Sequence, residues 1–435
     1  MASKDTFTIA GERSELPHRG DAVTMPARTR SQFRLVSMPA HLWLAVFTVM
    51  GLGTSTALVI RARRARRRWP EPVSASNAVG DQACLSCHRE KASFERTAHR
   101  LTMRPPTRDA LIGSFRPGEN VLRVEGTDMH FRMDADSTGF YQSLVTGTGP
   151  DSTSRTERVA FVAGSGRKGQ SFLYWSGDRL MQLPVSHWTA LDRWIGSPGR
   201  ARIEASASFN RGVAPRCLEC HATWIEPIPD LQLDNRYRAD SAIIGITCER
   251  CHGSGQEHVT RERSFFRHVG RGPGIVNPAR LSRDRTMDAC AQCHGGPGDP
   301  RAPPFTYVAG RRLEDYLHLI PRAADEAVDV HANQVALLER SRCYQSSQMT
   351  CITCHDVHRP QRDTQEISGR CLTCHQPQSC PLFATRGAAA IKGRCVDCHM
   401  PLETSHLVVS DLEGQLMRVQ GRSHWIRVYP ETAGH

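Results

Sequence analysis

One pentapeptide recurs seven times in this chain of 435 residues. The copies are Cys84-Leu-Ser-Cys87-His88, Cys217-Leu-Glu-Cys220-His221, Cys248-Glu-Arg-Cys251-His252, Cys290-Ala-Gln-Cys293-His294, Cys351-Ile-Thr-Cys354-His355, Cys371-Leu-Thr-Cys374-His375 and Cys395-Val-Asp-Cys398-His399. C-x-x-C-H is the attachment signal of c-type haem. The two thiols form thioethers with the vinyl groups, and the adjacent histidine becomes the proximal iron ligand. Fourteen of the sixteen cysteines fall in these motifs, and every C-x-x-C is followed by histidine. Zinc sites impose no such histidine after each pair. A dithiol redox motif belongs once to a βαβ domain, and the last three copies crowd into residues 351–399. The expected cofactor is therefore haem c, seven groups, covalently held. Cys343 and Cys380 are left over, and a disulfide between them competes with a thiol placed over an open iron.

Bis-histidine ligation of seven irons needs seven further imidazoles. Of the twenty histidines, seven are in motifs, and His18 and His41 lie near the N-terminus. The rest are His99, His130, His187, His258, His268, His318, His331, His358, His406, His424 and His435. Seven of these are candidate distal ligands: His99, His187, His258, His331, His358, His406 and His424. His258 and His358 follow closely on His252 and His355 and are tethered beside a haem.

The elements that must position these groups differ along the chain. Residues 42–60 read LWLAVFTVMGLGTSTALVI, with no charge. As a helix rising ~1.5 Å per residue this run would reach ~28 Å, about one bilayer core. It is expected to be an N-terminal transmembrane anchor. The arginines of residues 61–68 follow it, which by the positive-inside bias would place them in the cytoplasm. Seven haem motifs outweigh that bias and favour the opposite orientation. The expected location is the bacterial cytoplasmic membrane, with the haem region facing the periplasm and the arginines against anionic headgroups.

Net charge is +12, which invites a nucleic-acid reading. Residues 1–68 hold twelve Lys/Arg and four Asp/Glu, so eight of those charges sit there and only four in the remainder. Haem propionates would offset the rest. The basic balance is no sign of nucleic-acid binding.

Residues 88–216 contain no motif and read partly as β structure. Asn120-Val-Leu-Arg-Val-Glu125, Met129-His-Phe-Arg-Met133, Val159-Ala-Phe-Val-Ala163 and Ser171-Phe-Leu-Tyr-Trp175 are expected strands. Ser176-Gly177-Asp178 is a turn into Arg179-Leu-Met-Gln-Leu-Pro-Val185. Gly164-Ser-Gly166-Arg-Lys-Gly169 matches G-x-G-x-x-G, but a β-type run follows where the dinucleotide fingerprint needs a helix, so a hairpin is expected. Beyond residue 210, short helices and irregular linkers wrapped on haem are expected.

The fold class is α+β with much irregular structure, a chain packed around a haem array, with a small antiparallel insertion and one N-terminal transmembrane helix. The expected divisions are a cytoplasmic tail (1–41), the anchor (42–60), a basic linker (61–80), a first haem segment (81–118), a β-rich insertion (119–200) and a six-haem region (201–435).

Several segments resemble a family of bacterial multihaem cytochromes c. They are Phe161-Val-Ala-Gly-Ser-Gly166 with Gly169-Gln-Ser-Phe-Leu173, Gln182-Leu-Pro-Val-Ser-His187, Gly245-Ile-Thr-Cys-Glu-Arg-Cys-His252, Ile275-Val-Asn-Pro278, Ser341-Arg-Cys-Tyr344, Thr350-Cys-Ile-Thr-Cys-His-Asp-Val-His358 and Cys395-Val-Asp-Cys-His-Met-Pro401. The likeness is to the cytochrome c-554 family and more distantly to hydroxylamine-oxidoreductase-like cytochromes. It implies distal-ligand roles for His99, His358 and His424, and makes Cys343 a recurrent family cysteine.

Two functions compete. One is electron transfer between membrane quinol-linked or periplasmic redox proteins, from a chain held in the lipid bilayer. The other is oxidoreduction of a small nitrogen or sulfur oxyanion at one open haem. No C-x-x-C-K occurs and the histidines suffice to cap every iron, which favours the first.

Overall fold

The computed structural model describes residues 69–199, 208–264, 274–321, 323, 326–361 and 363–430. They belong to one compact unit that begins at Arg67.

Antiparallel sheet dominates, and this corrects the expected fold class. The described residues hold seventeen strands in five sheets, and every ladder between them is antiparallel. A four-stranded meander runs Val121–Arg123, Met129–Ala135, Phe140–Thr146 and Thr153–Arg158. A seven-stranded sheet has the path Met103–Arg104, Phe161–Ala163, Gly169–Ser176, Arg179–Gln182, Arg211–Gly212, with Val185–Trp188 and Arg193–Gly196 attached beside Gly169–Ser176. The expected strands of residues 120–185 are present with shifted ends. The glycine-rich stretch is a hairpin connection, because Phe161 pairs with Leu173 and Ala163 with Ser171.

β structure also lies where helices and linkers were expected. Ala222–Pro227 pairs with Tyr237–Ile244, Gly298–Pro300 with Leu317–Leu319, and Leu402–Leu412 with Gln415–Arg422. The last hairpin turns at Glu413 and Gly414, both with positive φ (50° and 78°). Two such residues make the turn whose twist matches a two-residue hairpin. Val408, Val409 and Leu412 leading into Glu413-Gly414 are the strand-and-turn signal for this hairpin.

The principal core lies within these sheets. Leu122, Phe131, Met133, Phe172, Tyr174 and Trp194 belong to one buried cluster. Alternation makes this possible, since residues two apart share a sheet face. Gln142 is buried within the strands and bridges Val185, donating to its carbonyl (2.8 Å) and accepting from its N–H (3.1 Å).

The membrane-spanning architecture and the location drawn from it are also corrected. Among the described residues no helix is long and apolar enough to cross a membrane. The longest, Arg283–His294, has 12 residues and reaches only ~18 Å of the ~30 Å needed. Residues 42–60, His18, His41 and residues 61–68 of the basic linker lie outside the described residues.

Candidate haem-binding array

The motifs ride on short helical turns. Cys248–His252, Cys351–Cys354 and Cys395–His399 are helices that begin at a motif. Arg283–His294 ends in one, and Asp81–Leu85, Pro215–Glu219 and Thr364–Cys371 run into theirs. Local sequence starts several of them. Pro215 takes a first-turn position, Asp363 caps Gln365 N–H, and Thr350 with Thr353 forms a capping box. In one helical turn, cysteines three apart and a histidine four beyond the first share a face. That is the geometry needed to hold one flat ligand at two edges and its centre.

The motif histidines are oriented for metal. His221 Nδ1 lies 3.3 Å from Thr102 O, His252 Nδ1 2.6 Å from Val276 O and His399 Nδ1 2.8 Å from Arg427 O. His294 Nδ1 meets Gln334 Oε1 (3.1 Å) and His355 Nδ1 meets Gln361 Oε1 (3.3 Å). Each partner is an oxygen that only accepts, so Nδ1 carries the proton and Nε2 keeps its lone pair. Metal-ligating histidines are fixed this way by their outer partners. His88 is exposed near Glu90, and His375 is exposed.

Three of these rings face a second imidazole across a gap. His252 and His358 have centroids 6.1 Å apart, His355 and His424 6.3 Å, and His99 and His294 6.1 Å. A metal–imidazole bond of about 2.0 Å and a ring half-width of about 1.1 Å put two trans ligands of one metal roughly 6.2 Å apart, centroid to centroid. The interplanar angles of 28° and 27° in the first two pairs rule out an edge-to-face contact. A face-to-face contact would bring the rings closer. Burial pushes His99 and His424 down to about 4, with His294 and His355 adding repulsion. His252 and His358 are lowered by the same cause. All four are held neutral, the form that ligates metal.

The remaining candidates divide. His258 neighbours His88, and His331 neighbours His221; burial lowers the proton affinity of His258 and His331, and the neighbouring imidazole adds to it. His187 is elsewhere: it is buried in the strand Val185–Trp188, edge-on to Trp194, with Nε2 3.5 Å from Asp192. His406 is exposed on the last hairpin, 3.1 Å from Arg418. The structure brings neither against a motif. Among the described residues no imidazole is paired with His375 or His399.

Sulfur contacts order the motifs in space. Cys84 lies beside Cys248, Cys220 beside Cys293, Cys290 beside Cys351, and Cys371 beside Cys395. Cys251 neighbours Cys290, and Cys354 neighbours Cys374. The motifs therefore follow one another as first, third, fourth, fifth, sixth, seventh, with the second branching from the fourth. Cys343 and Cys380 are both free thiols. Cys343 lies by Cys354, and Cys380 by Cys395, so they attend different motifs.

The residues present fit haem. Among the described residues no three or more His, Cys, Asp or Glu converge as they would on a metal held by side chains alone. Each motif instead offers a thiol pair with one or two imidazoles. Such a donor set would suit haem, which would bring its remaining ligands with it.

Sequence reading missed the latch between the first and third motifs. Glu249, only 1 % exposed, accepts from Val79 N–H (3.1 Å), Gly80 N–H (3.0 Å) and Gly255 N–H (2.8 Å). Asp81 accepts from Cys248 N–H (2.9 Å) and Arg100 Nε (2.7 Å). Glu249→Gln exchanges a charged acceptor for a neutral one and sets an NH₂ group against N–H donors. Stability should fall by about 1–3 kcal/mol, and residues 79–88 should become the first site of limited proteolysis. An unchanged denaturant midpoint would discard the latch.

No family model matches the chain, and no solved structure matches it. The C-type polyheme cytochrome OmcC of Geobacter sulfurreducens is 25% identical over 173 residues, 34% of this chain and 20% of that protein. The chaperone protein DnaJ of Picrophilus torridus is 33% identical over 90 residues, 20% of each chain. The chain thus spans about a fifth of the length of the curated relatives it matches. The distant likeness to a polyhaem cytochrome agrees with the seven motifs of this chain.

Proposed function

We propose that this chain is a c-type cytochrome with seven covalent haems that relays electrons between one-electron redox proteins. The observation that carries the reading is the set of three imidazole pairs, each joining a motif histidine to a distant one at 6.1–6.3 Å. When bound, haem iron supplies a ferric–ferrous couple. The chain's own residues do the rest. Cys84 and Cys87, Cys217 and Cys220, Cys248 and Cys251, Cys290 and Cys293, Cys351 and Cys354, Cys371 and Cys374, and Cys395 and Cys398 fix the groups. His88, His221, His252, His294, His355, His375 and His399 would hold the irons, and His99, His258, His331, His358 and His424 would supply a second imidazole at five of the sites. Two neutral imidazoles would leave no position for an exogenous ligand, which suits electron transfer.

Seven covalent haems should survive acid–acetone extraction and register in a pyridine haemochrome assay of the purified chain. Five or fewer would defeat the assignment.

A second reading rests on the sixth and seventh motifs, where His375 and His399 have no paired imidazole among the described residues. An open iron at either would suit oxidation or reduction of a small nitrogen or sulfur oxyanion. A high-spin ferric signal in the unmutated protein that titrates with cyanide would select this reading. A wholly low-spin spectrum selects the relay.

A further inference from the structure

The loop of residues 329–334 is held in a conformation that its sequence does not favour. Ala332 has φ 60°, in the left-handed region where a Cβ is crowded. A single residue persists there only when its surroundings over-determine it. Asn333 supplies part of that constraint. It is buried, and its Nδ2 donates to Asp329 O (3.0 Å) and to His331 O (2.8 Å), which closes the chain around Ala332.

The rest of the constraint comes from the C-terminal hairpin. Asp329 Oδ1 accepts from His331 N–H (2.7 Å) and from Ser405 Oγ–H (2.8 Å). Its Oδ2 accepts from His406 N–H and from Leu407 N–H (3.2 Å). The ladder of the hairpin breaks register between Thr404 and Val409. Residues 405–408 leave the ladder there, so their N–H groups need other acceptors. One carboxylate thus joins the loop to the break. Val330 packs the same contact: it is buried, and a Cβ on Gly421 of the hairpin would lie 3.3 Å from its Cγ2.

The far end of the loop meets the haem motifs. Gln334 Nε2 donates to Val330 O (3.1 Å), and its Oε1 accepts from His294 Nδ1 (3.1 Å). His331 has the imidazoles of His221 and His294 as neighbours. The loop therefore stands between the second and fourth motifs on one side and the hairpin on the other.

We propose that Asp329 is a positioning residue, which holds His331 ready for the iron of the second motif by clamping its loop to the C-terminal hairpin. The inference rests on the reading of His331 as the second imidazole of that site. A histidine on a free loop would lose conformational entropy each time it bound a metal. Four hydrogen bonds to one carboxylate meet that cost when the chain folds, so the ring is ordered before it is used. Asp329 itself touches no motif residue in this arrangement and acts only through the loop.

The test is the ferric spin state and cyanide stoichiometry of the full haem-loaded chain in His331→Ala, Asp329→Ala and the two combined. His331→Ala should turn one iron high-spin and bind one equivalent of cyanide more than the parent, with covalent haem unchanged. Asp329→Ala keeps the imidazole in the chain but releases its loop, and should open the same iron. The combined variant should bind no more cyanide than His331→Ala alone, because both changes act at one site. Asp329→Asn keeps the shape but turns an NH₂ group toward one pair of donors. It should open the same iron in part, and it serves should the alanine variant not fold. An iron that opens in His331→Ala yet stays low-spin in both Asp329 variants would overturn the clamp and leave the ligand assignment standing. Two further equivalents in the combined variant would place the effect of Asp329 at another iron and overturn it as well. If His331→Ala opens no iron, the ligand assignment fails and the clamp falls with it.

Discussion

His358→Ala should turn one iron high-spin and open it to cyanide, with no loss of covalent haem. His358 sits opposite His252 at 6.1 Å, and the loop that carries it is held at several points. Its N–H donates to Asp356 (3.0 Å), its carbonyl accepts from Ser93 Oγ (2.8 Å), and Phe94 lies 6.3 Å away. Arg359 ties the same loop to Asp356 and Glu366. These contacts are made by the backbone and by neighbours, so truncation removes the ring and leaves the loop in place. Cys248 and Cys251 are untouched, and attachment should persist. Loss of a strong neutral donor raises the potential of that one site. Cyanide should bind one equivalent more than in the parent. A variant that stays entirely low-spin would remove His358 as the ligand opposite His252, and with it the reading of the 6 Å pairs.

Cys290→Ala combined with Cys293→Ala should stop the relay almost completely, slowing passage between the two ends of the chain by orders of magnitude. The fourth motif is the only one in contact with three others among the described residues: Cys293 meets Cys220, Cys290 meets Cys351, and Cys251 lies beside Cys290. Without its haem the first and third motifs lose contact with the fifth, sixth and seventh. The matched control is Cys217→Ala with Cys220→Ala, which removes the branch and should leave end-to-end transfer nearly intact. Flash-reduction kinetics on the two variants, each checked for six remaining haems, compare them directly. Equal slowing in both would show that the second motif lies on the path.

Residue chemistry was legible in the sequence where it is local. C-x-x-C-H specifies its cofactor within five residues, and the alternation around Phe131 and Phe172 specifies strands that the structure contains. Distal ligation was less legible because it is tertiary. His99 and His294 are far apart in the chain, and only folding brings their rings to 6.1 Å. His187 and His406 had the same residue type but different surroundings. One became a core residue against Trp194, the other an exposed neighbour of Arg418. The clamp of Asp329 on Ser405, His406 and Leu407 was invisible for the same reason, since a lone carboxylate in a loop carries no instruction of its own. The extent of sheet was underestimated because residues after 210 were read through their motifs, which hid strands such as Ala222–Pro227.

The helices at the third, fifth and seventh motifs have five, four and five residues. Such turns do not persist alone, because nucleation costs more than one or two hydrogen bonds return. The sheets built from residues 121–196 need no such help, since Phe131, Phe172 and Trp194 are buried among one another. Stability therefore has two sources in the order of synthesis. The earlier sheets can condense as soon as they are made. On the proposed haem assignment, the segments after residue 210 would become permanent only once each thiol pair had reacted. The order of maturation would then follow from the architecture, with a sheet scaffold in place before the later motifs are completed.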